Sequence, residues 1–426
     1  MKLLYTFLIP AVLGGSLQFD LKRSANFLQK RSGANLELSP KYSENESEFV
    51  VELGFGSEKQ KFELVVDTGS SDLWIPSSNA TCNAKSSDDD VESCSSSGFD
   101  WENSKTFKKS SEIFSTEYGD NDTVEGFFGN DTVWVGDVEI KDIMFAVADE
   151  ADTNPVLGIG LPKLELGYQN SSEPTYPNFP QKLKTDGIID RILYSIMLGN
   201  SSSESSLLFG AIDHAKYNDD LVTFSVLTSN DGESDRMAIN LDSIEVKDEK
   251  ELTYFGEMTS AVLDTGSSLS VFSADILKQI AESLGGKVED DTYYVNEDSA
   301  EKSKLRFKFK DLEFETDIQL KDGGSSDKRE LKYDVLPDNL GIDVIIGQDV
   351  LTQAYAVFDL ESNEISLAKQ SGSSDTDIET VGSDGDFSKS STAKTDDSKK
   401  SGAGPLNKVS ISMLIFSLLF TVRFEF

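Results

Sequence analysis

The sequence is poor in the residues on which most metal sites and small disulfide-stapled folds depend. Its 426 residues include one histidine, His214, and two cysteines. A zinc site of the H-E-x-x-H type and a cysteine-based zinc finger are therefore excluded, as is a miniprotein held by several disulfides. We expect no metal and no cofactor, and we expect His214 to be structural or exposed.

Positive charge is also scarce. The chain has 39 Lys and Arg against 76 Asp and Glu, which gives a formal net charge of −37. So acidic a protein repels phosphate backbones, and we therefore expect no nucleic-acid partner. The length is enough for two ordinary domains, or for one domain with two lobes.

Long apolar runs occur at the two ends of the chain. At the N-terminus, Lys2 precedes an apolar run over residues 3–13 and small residues at 14–16. This order is typical of a secretory signal, although a first core helix is the alternative. Two dibasic pairs follow, and we predict a signal peptide over 1–16 and a propeptide over 17–31 that is cleaved after Lys30-Arg31.

At the C-terminus, residues 370–404 are rich in Ser, Thr, Asp, Gly and Lys and nearly free of apolar residues. Such a segment cannot form a core, so we predict a disordered stalk. The apolar run over 409–422 is shorter than the ~20 residues of a membrane-spanning helix. Together with small residues and a short spacer, it predicts a GPI-attachment signal over 405–426, with Ser401 or Gly402 as the attachment residue. A poor tail-anchor helix is the alternative.

Export is consistent with two further features. The sequence contains N-x-[ST] sequons, which are candidate glycosylation sites, at Asn45, Asn79, Asn121, Asn130, Asn170 and Asn200. Cys82 and Cys94 flank a Ser- and Asp-rich stretch, and they can pair in an oxidising compartment. Closing a loop of that size would contribute roughly 3 kcal/mol on the chain-entropy model.

Between the two ends, apolar residues recur with a period of two, which predicts half-buried antiparallel strands. The clearest runs alternate apolar and polar residues around Val51, Leu64 and Phe307. One helix is predicted after Ser273, which can cap it, and Gly285-Gly286 ends it. The body is therefore expected to be mainly β.

An internal repeat divides the body into two halves. The sequence Asp67-Thr68-Gly69-Ser70-Ser71 recurs as Asp264-Thr265-Gly266-Ser267-Ser268, each copy between apolar runs. Further along each half, an apolar run ends in glycine, at Gly158 and at Gly347. Two structurally similar lobes are the simplest explanation.

The repeated aspartates, Asp67 and Asp264, predict a paired acid site. A buried carboxylate needs partners, and the neighbouring residues can supply them: Thr68, Gly69, Ser70, Thr265, Gly266 and Ser267. If the lobes face each other, the carboxylates meet and share one proton. The ionised group can then take a proton from water while the protonated group donates to a carbonyl oxygen. A plain Asx-type turn is the alternative, but two copies in the same context disfavour it.

With these motifs, the sequence resembles pepsin-family aspartic endopeptidases, and most closely the fungal GPI-anchored yapsins. The resemblance covers roughly residues 48–369, and further stretches carry it at 118–120, 145–162, 208–217 and 346–351. It implies an all-β, mainly antiparallel, bilobed fold with a cleft between an N-terminal lobe over 32–195 and a C-terminal lobe over 196–369. It also implies that Asp67 and Asp264 are the catalytic pair.

The resemblance assigns roles to four other residues. Tyr118 and Gly119 would lie on a flap that closes over the substrate, supported by Trp74. Asp120 would favour Lys or Arg just before the cut bond, and the acidic surface would attract basic peptides. We therefore expect a monomeric, acid-active endopeptidase outside the cell, bound to membrane or wall through a GPI anchor and acting on peptides and proteins.

Three other functions are weighed against this one. A catalytically silent surface glycoprotein with the same fold would be expected to lose an Asp, a motif Gly or the flap Tyr, and all are present. A glycosidase also needs two carboxylates, but no sugar cleft with stacking aromatics is indicated. A serine hydrolase is disfavoured because no G-x-S-x-G motif occurs.

Overall fold

The computed structural model describes residues 17–24, 48–82, 98–119, 122–167, 176–199, 205–228, 234–247, 252–255, 259–325, 328–337 and 340–389. Contacts divide the chain into two units, residues 1–393 and 394–426, and every described residue belongs to the first. Among these residues, no helix combines the length and apolar character needed to cross a membrane. The chain is mainly antiparallel β-structure, as the sequence predicts.

The strands of the first half are β1 (Leu17–Ser24), β2 (Glu48–Phe55), β3 (Gln60–Asp67), β4 (Leu73–Cys82), β5 (Lys108–Glu117), β6 (Thr123–Val135), β7 (Val138–Ala151), β8 (Val156–Gly158) and β9 (Leu193–Met197). A 3-10 turn, Pro162–Leu164, and helix α1, Phe179–Thr185, follow β8. The predicted alternation of burial holds along β20, where Leu305, Phe307 and Phe309 are buried. In β2 and β3, Val51 and Leu64 are buried as predicted, but Val50 and Val65 are buried as well, so these strands are covered on both faces.

The strands of the second half are β10 (Ser205–Phe209), β11 (Ala211–Asp213), β12 (Val222–Ser225), β13 (Ala238–Leu241), β14 (Ser243–Lys247), β15 (Leu252–Phe255), β16 (Thr259–Leu263), β17 (Val271–Phe272), β18 (Lys287–Glu289), β19 (Thr292–Val295), β20 (Lys304–Phe309), β21 (Leu312–Asp317), β22 (Leu320–Ser325), β23 (Lys328–Leu331), β24 (Val344–Ile346), β25 (Ala354–Asp359), β26 (Glu364–Lys369) and β27 (Ile378–Thr380). The helical segments are a 3-10 turn, His214–Lys216, and helices α2 (Ala274–Ser283), α3 (Glu297–Glu301) and α4 (Gln348–Leu351).

Helix α2 is the predicted helix. Ile276 and Ile280 are buried on one face. Ser273 occupies the N-cap position, but its side chain makes no cap hydrogen bond. At the other end, Gly285 adopts φ 72°, which a residue with a Cβ rarely adopts. Its neighbour Gly286 donates through its N–H to the carbonyl of Ala281 at 2.8 Å, so the two glycines end the helix as the sequence predicts.

The internal repeat of the sequence is also a repeat of topology. In the first half, β3 runs parallel to β8, and β8 pairs antiparallel with β4. In the second half, β16 runs parallel to β24, and β24 pairs antiparallel with β17. Each D-T-G-S-S sequence therefore begins at the end of a buried strand, β3 or β16, and the neighbouring strands are paired in the same way in both halves. This shared pairing fixes the position of both aspartates.

A large sheet connects the halves, with the strand order β12-β26-β25-β9-β10-β1-β2-β3-β8-β4-β7-β6-β5. Strand β1 lies between β10 and β2 and pairs antiparallel with both. This strand falls within the range predicted to be a propeptide, 17–31. Its removal stays a prediction.

The ordered body extends past residue 369, where the sequence predicts that the stalk begins. Strand β27 pairs antiparallel with β11, and Val381 beside it is fully buried. Arg191, which is bound to Asp359 at 2.9 Å, also donates to the carbonyl of Ser383 at 3.2 Å. A few apolar residues in a mostly polar segment are enough to dock it, which an average over composition does not reveal. The prediction of a disordered stalk over 370–404 is thus wrong for residues up to 389.

Candidate active site

Each D-T-G-S-S turn holds its carboxylate in the same way. Asp67 ends β3, and its Oδ1 accepts from the Gly69 N–H at 2.7 Å while its Oδ2 accepts from the Ser70 hydroxyl. Asp264 follows β16, and its carboxylate accepts from the Gly266 N–H at 2.8 Å and from the Ser267 hydroxyl at 3.0 Å. The glycine and the serine of each turn thus fix both oxygens of their own aspartate.

The two threonines bind the turns to each other. The N–H of Thr68 donates to Oγ1 of Thr265 at 3.1 Å, and the N–H of Thr265 donates to Oγ1 of Thr68 at 3.0 Å. Each hydroxyl then donates across to the other half, to the carbonyls of Leu263 at 2.7 Å and Val66 at 2.6 Å. Both threonines are fully buried, so these four hydrogen bonds are shielded from water.

The glycines leave room for the carboxylates to approach. A Cβ placed on Gly69 would lie 2.7 Å from the carboxyl carbon of Asp264, and one on Gly266 would lie 2.7 Å from Oδ1 of Asp67. Since real Cβ atoms do not come this close to other atoms, any side chain at either glycine would push the opposite carboxylate away. The structure thus places the two aspartates face to face.

The electrostatics of the pair differ between its members. Asp67 is 7% exposed, whereas Asp264 is half-buried. Burial, and after it the negative charge of Asp264, raises the pKa of Asp67 well above its ordinary value, and a hydrogen bond between the two side chains acts in the same direction. The raised pKa favours the protonated form of Asp67 beside the Asp264 carboxylate.

The apolar runs that end in glycine lie directly behind the turns. The N–H of Gly158 donates to the carbonyl of Asp72 at 3.0 Å, and the N–H of Gly160 donates to the carbonyl of Ser70 at 2.8 Å. In the second half, the N–H of Gln348 donates to the carbonyl of Ser267 at 2.9 Å. These backbone bonds hold each turn rigidly against a neighbouring segment.

A hairpin of β5 and β6 carries the predicted flap. Tyr118 lies just beyond β5, and its N–H donates to the carbonyl of Asp122 at 2.8 Å across the hairpin. Its hydroxyl accepts from the indole N–H of Trp74 at 2.8 Å, and Trp74 is fully buried. Gly119 is exposed, and Asp120 lies outside the described residues. The structure therefore brings Tyr118 and Trp74 together, and their role in a flap stays a prediction.

The other predicted site residues are spread over the chain. Cys82 ends β4, while Asn79 is exposed in β4 and Asn130 is half-buried in β6. The remaining ones lie outside the described residues: Asn45, Asn121, Asn170, Asn200, Cys94, Lys30, Arg31, Ser401 and Gly402. The only histidine, His214, is buried, with its ring nitrogens 2.7 Å from the Tyr217 hydroxyl and 2.6 Å from Oε2 of Glu379. Within the described part of the chain, no group of three or more His, Cys, Asp or Glu side chains is arranged to hold a metal ion.

Sequence reasoning missed two acids behind the turns, Asp72, which is buried, and Asp349, which is half-buried. Asp349 accepts from the N–H and the hydroxyl of Ser270 at 2.9 and 2.8 Å, and burial raises its pKa to about 6. Asp72 follows the first D-T-G-S-S copy, and burial raises its pKa to about 6 as well. Asp72 directly follows the repeated sequence, but nothing in a single sequence marks Asp72 as buried or Asp349 as half-buried.

Comparisons with known proteins agree with this geometry. A family model for eukaryotic aspartyl proteases matches residues 48–370. The chain is 36% identical to "Secreted aspartic protease 9" of Candida albicans over 302 residues, which is 67% of this chain and 54% of that protein. The chain thus spans about half the length of this relative.

Two other relatives match along more of their length. The chain is 30% identical to "Secreted aspartic protease 10" of Candida albicans over 392 residues, or 85% of this chain and 81% of that protein. It is 32% identical to "Aspartic proteinase yapsin-3" of Saccharomyces cerevisiae over 371 residues, or 80% of this chain and 72% of that protein. The similarity is therefore to pepsin-type and yapsin-like proteins.

The crossed threonine bonds generate a prediction about stability. Thr265→Val removes the hydroxyl that donates to Val66 and accepts from Thr68, so it leaves two buried backbone groups unpaired. We expect a loss of about 2–3 kcal/mol in the free energy of unfolding, measured by denaturant titration. Thr265→Ser keeps the hydroxyl and serves as the matched control. Equal stability of the two variants would show that the crossed bonds do not hold the turns together.

Proposed function

The chain belongs to the eukaryotic aspartyl protease family, and from that premise we propose that it is an aspartic endopeptidase with Asp67 and Asp264 as its catalytic pair. The observation that carries the proposal is the meeting of these two carboxyls, each held by its own turn and both joined by the crossed threonines. A peptide bond is cleaved by such a pair with water as the nucleophile.

The steps follow from one shared proton. The ionised carboxylate removes a proton from a water molecule, and the oxygen of that water attacks the carbonyl carbon of the substrate. The protonated carboxyl donates its proton to the carbonyl oxygen, which yields a tetrahedral diol. Collapse of the diol breaks the C–N bond: the leaving nitrogen takes the proton that the pair removed from water, and a diol hydroxyl gives its proton to the other carboxylate as the C=O bond re-forms. The pair again holds one proton, which restores the starting state.

The surroundings of the pair favour this chemistry. Burial of Asp67 beside Asp264 raises the pKa of Asp67 and so keeps a proton on the pair at acid pH. The Tyr118 hydroxyl is fixed by Trp74, which supports a role for the hairpin as a flap over the substrate. Fixed donors around the carboxylates need no rearrangement during the reaction.

The decisive experiment compares the parent enzyme with Asp264→Asn on a random peptide library. We expect the parent to be fastest at mildly acid pH. It should lose activity as pH rises through the raised pKa of Asp67, because the pair then loses the proton that it shares. Asn cannot ionise or share a proton, so the variant should lose at least about 10³-fold in kcat while its unfolding curve stays close to that of the parent. A parent with a rate that rises through pH 8, or a variant that keeps its activity, would refute the paired mechanism. A folded parent with no activity would favour the silent surface glycoprotein.

We also propose a preference for Lys or Arg just before the cut bond. The support is the acidic residue Asp120 directly after Tyr118-Gly119, together with the net charge of −37. Both would attract a cationic side chain, in a manner that salt weakens.

The preference is tested by Asp120→Asn, with Glu117→Gln as the matched control on the exposed end of β5. The Asp120 variant should lose about fivefold in kcat/KM for peptides with Lys or Arg at this position, which corresponds to about 1 kcal/mol, the upper end of the range for one exposed ion pair. Peptides with Leu there should be unaffected. An equal loss in both variants, or none in either, would remove Asp120 from this role.

Finally, we propose that the protein is exported and held at the cell surface by a GPI anchor. The support is the small residues at 401–404, the spacer and the apolar run over 409–422, together with an apolar N-terminus. Phosphatidylinositol-specific phospholipase C should release the full-length protein from membranes of a secreting host. A variant with leucine at both Ser401 and Gly402 should not be released in this way, and equal behaviour of the two proteins would contradict this attachment site.

A further inference from the structure

A buried acidic cluster lies directly behind the first catalytic turn. Its members are Asp72, Glu165 and Tyr176. Oδ2 of Asp72 accepts from the N–H of Leu166 at 3.0 Å, and Oδ1 accepts from the hydroxyl of Tyr176. Asp72 therefore joins the turn to the segment after β8 and to the segment that leads into α1.

Glu165 is the unusual member of this cluster. It is fully buried, and both of its carboxyl oxygens accept no hydrogen bond from the residues that the structure describes. The backbone N–H of Asn178 lowers the pKa of Glu165 and so offsets part of the cost of a charge there. The hydrogen bond of this N–H, however, goes to Oε1 of Gln181 at 3.1 Å. An ionised carboxylate in such a place costs several kcal/mol, so Glu165 fits its site only as the neutral acid.

The groups that face the cluster add to this constraint. Glu165 faces Asp72, and Tyr176 faces Asp72, Glu165 and also Glu112 from β5. Among the described residues, no lysine or arginine acts on the pKa of either carboxyl. Burial first, and then the charge of Asp72, raises the pKa of Glu165 to about 8. Burial also raises the pKa of Tyr176 above its ordinary value, which keeps its hydroxyl a donor.

The cluster also touches the flap. The ring of Tyr176 lies 5.4 Å from that of Phe128 in β6, and Phe128 packs edge-to-face at 5.3 Å against Phe114 in β5. These three rings share one core with Trp74, which binds the hydroxyl of Tyr118. Anything that displaces Tyr176 therefore acts on the base of the flap as well as on the catalytic turn.

We propose that Asp72, Tyr176 and Glu165 position the catalytic turn and the flap only while Glu165 carries its proton, so that loss of this proton reversibly ends peptide hydrolysis. The proposal rests on the proposed endopeptidase activity and adds a second control by pH, separate from the catalytic pair. Glu165 is a positioning residue, because it acts through Asp72 and Tyr176 and does not touch the reacting atoms.

The sign of the effect follows from the raised pKa. Below the ordinary glutamate pKa of 4.5, the acid is neutral whether the cluster is intact or opened, and the support is complete. As pH rises towards about 8, opening of the cluster becomes more favourable, because Glu165 can ionise once it is in water. The support that the cluster gives to the turn and the flap therefore weakens and is then lost. Asp72 ionises earlier, near pH 6, and its charge delays the ionisation of Glu165.

The test uses the full-length protein with Glu165→Gln and Asp72→Asn. The matched control is Glu245→Gln, since Glu245 is 1% exposed but lies 3.3 Å from Nη1 of Arg306. Tryptophan fluorescence and kcat/KM are recorded from pH 4 to pH 9, and each variant is normalised to its own value at pH 5. Trp74 is one of three tryptophans and shares its core with Tyr176, so its part of the fluorescence reports on that core without any need for activity.

We expect the parent and Glu245→Gln to show a fluorescence transition near pH 8, and Glu165→Gln to lack it. At pH 9, the normalised kcat/KM of Glu165→Gln should exceed that of the parent by about tenfold, since one pH unit above a pKa corresponds to a factor of ten. Asp72→Asn should move the transition to lower pH, because it removes the charge that disfavours ionised Glu165.

Two results would overturn the proposal. One is superimposable pH profiles for the parent and Glu165→Gln, or, if that variant does not fold, an unmoved transition in Asp72→Asn. The other is an equal loss of the transition in the Glu245→Gln control. A parent that shows the transition but hydrolyses no peptide at any pH would refute the proposed function alone, so the two failures are distinguishable.

Discussion

The crossing of two threonines at the centre of the molecule is the constraint on which the rest of the structure depends. Each of Thr68 and Thr265 donates through N–H and hydroxyl to the other half, with four bonds of 2.6–3.1 Å. This crossing fixes the distance between the turns, and the turns carry the carboxylates. Because both threonines are fully buried, the geometry of the carboxyl pair does not depend on the mobility of any surface loop.

Much of this centre could be predicted from the sequence, because the repeat places the same polar residues at the ends of similar apolar strands. The alternation around Val51 and Leu64 and the helix from Ala274 were equally visible. What the sequence could not supply was burial at single polar positions. Glu165 follows Pro162-Lys163-Leu164 without any pattern that separates it from a surface glutamate, yet it is fully buried. In the same way, Val381 docks a segment whose composition predicts disorder.

The two halves share a topology but are not equivalent. Behind the first turn, Asp72 is joined to Tyr176 and faces Glu165, whereas behind the second turn Asp349 binds Ser270. The first half also carries the flap and the more buried member of the carboxyl pair, Asp67. The duplicated framework therefore supplies matched geometry for the carboxyl pair, while the acids behind the two turns have different partners.

The docking of residues 378–389 has a mechanical consequence. Any pull on the chain beyond residue 389 first reaches Lys389, whose carbonyl accepts from the Leu221 N–H at 2.8 Å and whose Nζ donates to the Thr223 hydroxyl of β12 at 2.7 Å. Tension therefore enters the large sheet at its edge strand, β12, and it loads the pairing of β27 with β11 and the Ser383 carbonyl held by Arg191 once the bonds of Lys389 break. A force on a tethered C-terminal segment would thus be borne by the edge of the sheet and by β27 before it reached the turns that carry the two carboxylates.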